Sequence, residues 1–375
     1  MRKINISEYK GSRIYFYFFD IYLKINDIRK EEIFAELYIN NSSYRRSRDY
    51  EQKVGKNIIK QLSDHFGFII PEPSLVEMLE TKINEIYYNM YYRIYDSYDN
   101  DLTLLNKLLE ENTLLAPIIK LIKLFMLVNT HKSISYIKQN YQNLYEDIKR
   151  YYDFFIPQLN EIFEILNLFF DSDVILSDEW RHNYKNAMSY QIVASKCYSE
   201  KKYIETIFFG KCAQDILYKD LNFKRIISVN RAIMSSYLYI GNYDECLNIA
   251  EKQILYLKSI DFSDYEIESA IIFETVALLA LERYHDVKEK LKDYQKMNLT
   301  LITCMLVSLF KIEKKEYVKF YNENIEYLDE EDKKFFILLN DYLKNPVKTT
   351  LSDITKYQIM GPLIKILKNF KNRHK

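Results

Sequence analysis

Apolar residues recur at three- and four-residue spacing along most of the chain. In LAPIIKLIKLFMLVN (115–129) and DFFIPQLNEIFEILNLFF (153–170) that spacing predicts helices, each with one stripe to bury. KNIIKQLSDHFG (56–67) repeats it, with Ile58, Ile59, Leu62 and Phe66 as the packing stripe. The pattern breaks at IIPEPS, where Pro71 and Pro73 disfavour helix in the residues before them. A boundary is expected there, between a domain over 1–70 and a longer helical domain over 74–375.

Toward the C-terminus the pattern becomes periodic at a larger scale. The turns KKY, GNY, ERY and KEY end at Tyr203, Tyr243, Tyr284 and Tyr317, at spacings of 40, 41 and 33. Each follows an apolar helix and precedes an amphipathic one. The clearest unit, NRAIMSSYLYIGNYDECLNIAEKQI (230–254), resembles a tetratricopeptide repeat. It has an aromatic late in its first helix (Tyr237), then Gly-x-Tyr-Asp-Glu, a small residue (Cys246), and Ala250 on its second helix. Gly241 is expected to end the first helix in a left-handed conformation. The unit around Tyr203 matches in part, through Ala194 and Ala213. The later units are more degenerate, and Glu274 falls where an apolar residue is expected. The fold expected here is all-α, a TPR-like solenoid of helix pairs, and an irregular helical bundle is the alternative.

The segment 30–67 reads helix, turn, helix, helix. Its centre, INNSSYRRSRDYEQ (39–52), places three arginines within four positions. Asn41 or Ser42 can cap the second helix, because a side-chain oxygen can accept a free first-turn N–H. The order resembles a repressor-type helix-turn-helix. By that resemblance Asn40, Asn41, Ser42, Arg45, Arg46 and Asp49 face DNA, Tyr44 points inward, and Arg48, Lys53 and Lys56 meet phosphates. Arginine suits guanine O6 and N7, and asparagine suits adenine. Phe34 stands where the motif usually has a small residue, Tyr38 where it has a turn glycine, and Ser47 where it has an apolar residue. A solvated basic surface helix is the other reading of this cluster.

Composition narrows the field. Lys+Arg and Asp+Glu both number 53, so any nucleic-acid surface must be local; over 40–60, six basic residues face two acidic ones. Glycine and proline number six each, too few for many tight strand turns. The 35 tyrosines are expected at half-buried helix positions, ring inside and hydroxyl wet; stacking platforms for bases, as in IYYNMYYRIYDSYDN (86–100), are the other reading. Cys197, Cys212, Cys246 and Cys304 form no CxxC pair and read as small hydrophobes. The five histidines are scattered, and no P-loop, G-x-G-x-x-G or G-x-S-x-G occurs. No catalytic constellation, cofactor or metal is expected, so the chain is not read as an enzyme. Trp180, after SDE, reads as a capped helix start, and LDEEDKK (328–334) as a helix N-terminus. No run of 18 apolar residues suggests a membrane span, and no leader is evident, so a reduced cytoplasmic protein is expected. The basic, amphipathic end GPLIKILKNFKNRHK is expected to cap the solenoid or join a dimer interface.

Together the two halves resemble the peptide-sensing helix-turn-helix/TPR transcriptional regulators of Gram-positive bacteria and their phages, the Rgg/PlcR type and the arbitrium receptors. The resemblance is one of architecture across the whole chain. It implies a homodimer that binds double-stranded DNA and takes a short secreted signalling peptide into the concave face of the solenoid. The inward positions of the first helices fall on Gln191, Ser195 and Tyr198, and on Asn230 or Arg231, Ser235 and Tyr239. Amides there suit a peptide backbone and aromatics add contact area; solvated polar positions with no ligand are the plainer reading. The alternative function is a Rap-type adaptor that binds a response-regulator protein under peptide control, without DNA.

Overall fold

The computed structural model describes residues 3–50, 54–130, 134–171, 186–260, 263–294, 297–326, 328–344 and 361–372. Among them are nineteen α-helices, two short 3-10 turns and no strand; one isolated bridge pairs Ile69 with Thr113. The chain forms two compact units, Met1–Ile192 and Val193–Lys375.

The first unit holds α1 (Arg13–Ile25), α2 (Lys30–Glu36), α3 (Asn41–Asp49), α4 (Val54–Phe66), α5 (Pro73–Tyr92), α6 (Tyr98–Glu110), α7 (Ala116–Val128), α8 (Ile134–Lys149) and α9 (Pro157–Phe170). Helix α1 packs on α3 and α4, and α7 on α5, α6, α8 and α9. That central place explains why α7 buries nine of its 13 residues. The boundary expected at 70–74 is no break in the core. Tyr9 donates to the Phe154 carbonyl at 2.7 Å, and its oxygen accepts from Ile156 N–H at 3.2 Å. The Asn84 side chain bonds both the N–H and the carbonyl of Ile4, each at 2.8 Å. Phe18 meets Phe154 edge-on at 5.7 Å.

Tyrosine departs from the expected wet hydroxyl. Tyr9, Tyr15, Tyr44 and Tyr145 are fully buried here. Their hydroxyls reach internal acceptors: the Phe154 carbonyl, the Tyr9 carbonyl, Asp20 and Asn167. Buried phenols need such partners. In the 86–100 stretch, Tyr87 and Tyr91 are also buried, and Tyr87 stacks on Phe125 at 5.6 Å.

Helix α10 (Ala187–Ser199) leads into the second unit. There follow α11 (Tyr203–Lys219), α12 (Phe223–Ile240), α13 (Tyr243–Ser259), α14 (Asp264–Ala280), α15 (Tyr284–Leu291), α16 (Leu299–Ile312), α17 (Lys314–Ile325), α18 (Glu330–Lys344) and α19 (Gly361–Asn372). From α11 to α17 consecutive helices pack together, and α12, α14, α16 and α18 also pack each on the next. That is the contact order of a helical repeat array.

The turns show how the repeat is built. Lys201, Gly241 and Glu282 adopt left-handed φ of 62°, 84° and 59°, each two residues before a helix-opening tyrosine. Each is followed by the same closing bond: Lys202 N–H to Cys197 O, Asn242 N–H to Tyr237 O, and Arg283 N–H to Leu278 O, at 2.8–3.0 Å. This is a Schellman-type helix end. The fourth turn differs. Glu313 takes φ −153° and ψ 84°, with no left-handed residue, and Tyr317 lies inside α17 rather than at its start. Helix pairs approach closely where side chains are small. A Cβ on Gly210 would stand 2.7 Å from Ile233 Cγ1, and Cys246 and Ala213 are wholly buried. Glu274, out of pattern by sequence, is buried beside Lys290, whose Nζ lies 2.6 Å from its Oε1. Asp329 caps α18, accepting from Glu331 and Asp332 N–H at 3.0 and 2.8 Å.

Candidate functional site

Two surfaces carry the residues singled out by sequence, one in each unit. In the first, α2 and α3 are joined by a turn in which Tyr38 takes φ 56° and leaves its ring almost wholly in solvent. The turn therefore needs the left-handed backbone that glycine adopts most easily. Asn40 caps α3, accepting from Ser42 N–H at 2.8 Å and from the Ser42 hydroxyl at 2.7 Å. The cap is thus Asn40 rather than Asn41 or Ser42. Asn40, Asn41, Ser42, Arg45 and Arg46 are all exposed.

Behind them Tyr44 is buried, edge-on to Phe16 at 4.8 Å, with its hydroxyl bonded to Asp20 at 2.9 Å. Ser47 is buried against the α4 glycine: a Cβ on Gly55 would lie 3.2 Å from the Ser47 Cβ. A small residue at 47 is thus a close-packing choice. Arg48 is differently placed from its neighbours. Its Nε lies 2.9 Å from Asp49 and its Nη1 3.1 Å from Asp20. Those hydrogen bonds, Asp49 first and then Asp20, push its pKa further up. Asp20 also binds Lys30 at 2.6 Å. The Arg48 charge is therefore shared with Asp20 and Asp49 within the unit. Lys53 lies outside the described residues, as does Trp180.

The second surface is a cavity of about 390 Å³. Helix α12 supplies Ser228, Arg231, Ser235 and Tyr239, at three- and four-residue spacing along one face. Ser195 and Tyr198 come from α10, Phe273 from α14, and Gly361 and Pro362 from the start of α19. The Tyr198 and Ser235 hydroxyls are 2.6 Å apart. Tyr203 stacks on Tyr239 at 4.5 Å, nearly parallel, and holds that ring against the wall. Burial, and then the phenols of Tyr198 and Tyr203, push the Tyr239 pKa up, so it is a neutral donor at neutral pH. Arg231 is braced by an ion pair with Glu266 and lies 5.5 Å over the Tyr265 ring. Its Nε is buried and meets no acceptor among the described residues.

Helix α19 closes one side. Lys365 donates to the Tyr239 carbonyl at 2.6 Å, and Leu363 and Leu367 are buried. Gly361 lies so close to the Tyr239 hydroxyl that a Cβ would be 2.3 Å from it.

Five expected residues thus converge: Ser195, Tyr198, Arg231, Ser235 and Tyr239. Two do not. Gln191 is buried and does not line the cavity. Asn230 is buried on the other side of α12, bonded to Gln214 and Gln253. Neighbouring helical residues point about 100° apart, and here Asn230 turns to Gln214 and Gln253 while Arg231 turns to the cavity. The Glu266 and Gly361 contributions carried no periodic signal and arrive from other helices by packing; Tyr203 was marked as a turn tyrosine, not as a support for Tyr239.

The chemistry of the cavity is that of hydroxyls, one guanidinium and aromatic faces. Such a lining can bond a peptide's amides and carboxylate. No group of three metal-ligating side chains occurs among the described residues. No described helix is long and apolar enough to cross a membrane. Compared with known protein-family models, curated proteins and solved structures, the chain matches none.

Proposed function

We propose that this chain is a peptide-responsive transcriptional regulator. In this reading the α2–turn–α3 segment is a helix-turn-helix that reads double-stranded DNA through Arg45 and Arg46. The helix pairs of the second unit are TPR-like, and their cavity takes one end of a short signalling peptide. The observation that carries the reading is the convergence of Ser195, Tyr198, Arg231, Ser235 and Tyr239 on one cavity. Its size falls in the usual range for a small-ligand site. Arg231 is the partner for a carboxylate and Tyr239 a wall for a side chain. A homodimer presenting two α3 helices belongs to the same reading.

The test is binding of the purified full-length protein to DNA from its own upstream region, at two salt concentrations, beside Arg45→Ala/Arg46→Ala. Tight, salt-sensitive binding lost in the double variant is expected. No specific binding at low salt, with or without conditioned medium and with the fold intact by circular dichroism, would overturn it.

One observation favours a second reading, an adaptor that binds a response-regulator protein under peptide control. Arg48 is engaged by Asp20 and Asp49, which leaves less free charge on α3 for phosphates. Under that reading the protein retains peptide but not DNA.

A further inference from the structure

Helices α12, α14, α16 and α18 form a row in which each packs on the next. Helix α19 returns across that row and is tied to both of its ends. At one end Lys365 donates to the Tyr239 carbonyl of α12 at 2.6 Å. That carbonyl is among the last four of its helix, which lack an intrahelical partner, so a lysine suits it. At the other end the Tyr342 hydroxyl of α18 donates to the Leu367 carbonyl at 2.7 Å. Pro362, Leu363, Ile366 and Leu367, at three- and four-residue spacing, form the buried face of α19, while Lys365 and Lys368 stay exposed.

One residue joins this strap to the cavity. Tyr239 lines the cavity, and α19 meets it twice, at its carbonyl and at its hydroxyl. The hydroxyl stands so close to Gly361 that no side chain fits between them. The Tyr239 ring is also stacked on Tyr203 at 4.5 Å. The phenol therefore has little room to yield while α19 is seated, and a ligand that presses the ring toward α19 moves the helix. The seat is modest. Among the described residues it consists of one apolar face and two hydrogen bonds. A helix of 12 residues is marginal alone in water, so α19 keeps its form only while seated.

We propose that α19 is an autoinhibitory strap. Its seat, between Tyr239 and Tyr342, is a docking surface for a basic amphipathic helix and is filled in cis. A peptide that lies along the row and enters the cavity does so by unseating α19. That competition rests on the peptide reading of the cavity; the seat does not. The seat selects by chemistry: an apolar stripe for the row, a glycine against the Tyr239 hydroxyl, and a lysine four residues later for the Tyr239 carbonyl.

The test uses the full-length chain. Leu363→Asp/Leu367→Asp removes the apolar face of α19 and leaves the seat on α12 and α18 untouched. Wild type and variant are titrated with a fluorescein-labelled synthetic peptide, GPLIKILKNFKN (361–372), and amide hydrogen exchange is followed by mass spectrometry. In the variant, exchange within α19 is expected to rise at least about tenfold, with α16 unchanged. The labelled peptide is expected to bind the variant saturably and the wild type at least about tenfold more weakly, because the tethered helix outcompetes it. Should the double variant not fold, Gly361→Ala takes its place. Alanine is the better helix former, yet its methyl meets the Tyr239 hydroxyl, so α19 should loosen, and adding Tyr239→Phe should restore it. Peptide binding that is equal in wild type and variant, or absent from both, would overturn the proposal, as would wild-type exchange of α19 in a folded Gly361→Ala. A peptide fraction of conditioned medium that shifts DNA affinity without speeding α19 exchange would overturn the competition and leave the peptide reading standing. A fraction that does neither would sink the peptide reading and leave the seat.

Discussion

At the scale of single residues, position within a helical face decides what each side chain can do. Arg45 and Arg46 are exposed while Arg48, two positions on, is held by Asp20 and Asp49. Arg46→Ala should therefore lower the slope of log affinity against log salt by about one on the upstream DNA. Arg48→Ala should instead lower the melting temperature of the free protein. Equal effects of the two on the salt slope would contradict this assignment. Sequence alone showed that the cluster was basic; it could not show that Asp20, 28 residues earlier, claims one of its members. The same limit explains Asn230. Periodicity marks both faces of α12 equally well, and only packing shows which one Gln253 approaches. Buried phenols set a further expectation. Burial pushes the pKa of Tyr9, Tyr15 and Tyr44 above that of a free phenol. Their contribution is whole below the unfolded value near pH 10 and is lost as pH rises beyond it. Each then removes about 1.4 kcal/mol per pH unit. Alkaline unfolding monitored by circular dichroism should steepen above pH 10, and stability unchanged to pH 11.5 would count against it.

At the scale of elements, the helix pairs were largely legible and their joints were not. The recurring tyrosines marked three helix starts correctly, because each follows a left-handed residue and a closing 6→1 bond. Only one of those left-handed residues, Gly241, announces itself; Lys201 and Glu282 adopt the same backbone against their preference. At the fourth turn the tyrosine misled, since α17 starts at Lys314, directly after Glu313. Close approach is testable at Gly210. Gly210→Ala should destabilise by about 1–3 kcal/mol, because the added methyl meets Ile233; an unchanged denaturation midpoint would mean that α11 and α12 can separate freely. The buried pair of Glu274 and Lys290 gives a second test. Lys290→Ala should cost about 3 kcal/mol, the lower end for a broken buried pair because the lysine is partly exposed. Replacing both residues with leucine should recover most of that loss. A double variant as unstable as Lys290→Ala would show that the pair is not what holds the site.

At the scale of the whole molecule, the all-α class followed from helical periodicity and the scarcity of glycine and proline. The division of the chain did not follow. Pro71 and Pro73 do interrupt the helices, yet the core runs on from Ile4 and Tyr9 to Asn84 and Phe154, contacts up to 145 residues apart that no local pattern encodes. The cavity of the second unit was legible as a stripe on α12. Its closure by α19 was not, since that helix begins more than 120 residues later and meets Tyr239 through Gly361 and Lys365. The proposed function joins this cavity to DNA binding. The measurement that tests it most directly is the affinity for upstream DNA with and without the peptide fraction of conditioned medium, in wild type and in Arg231→Ala. A change in affinity seen with the wild type and absent from Arg231→Ala is predicted. An affinity unmoved by the fraction in the wild type, or moved equally in both proteins, would contradict it.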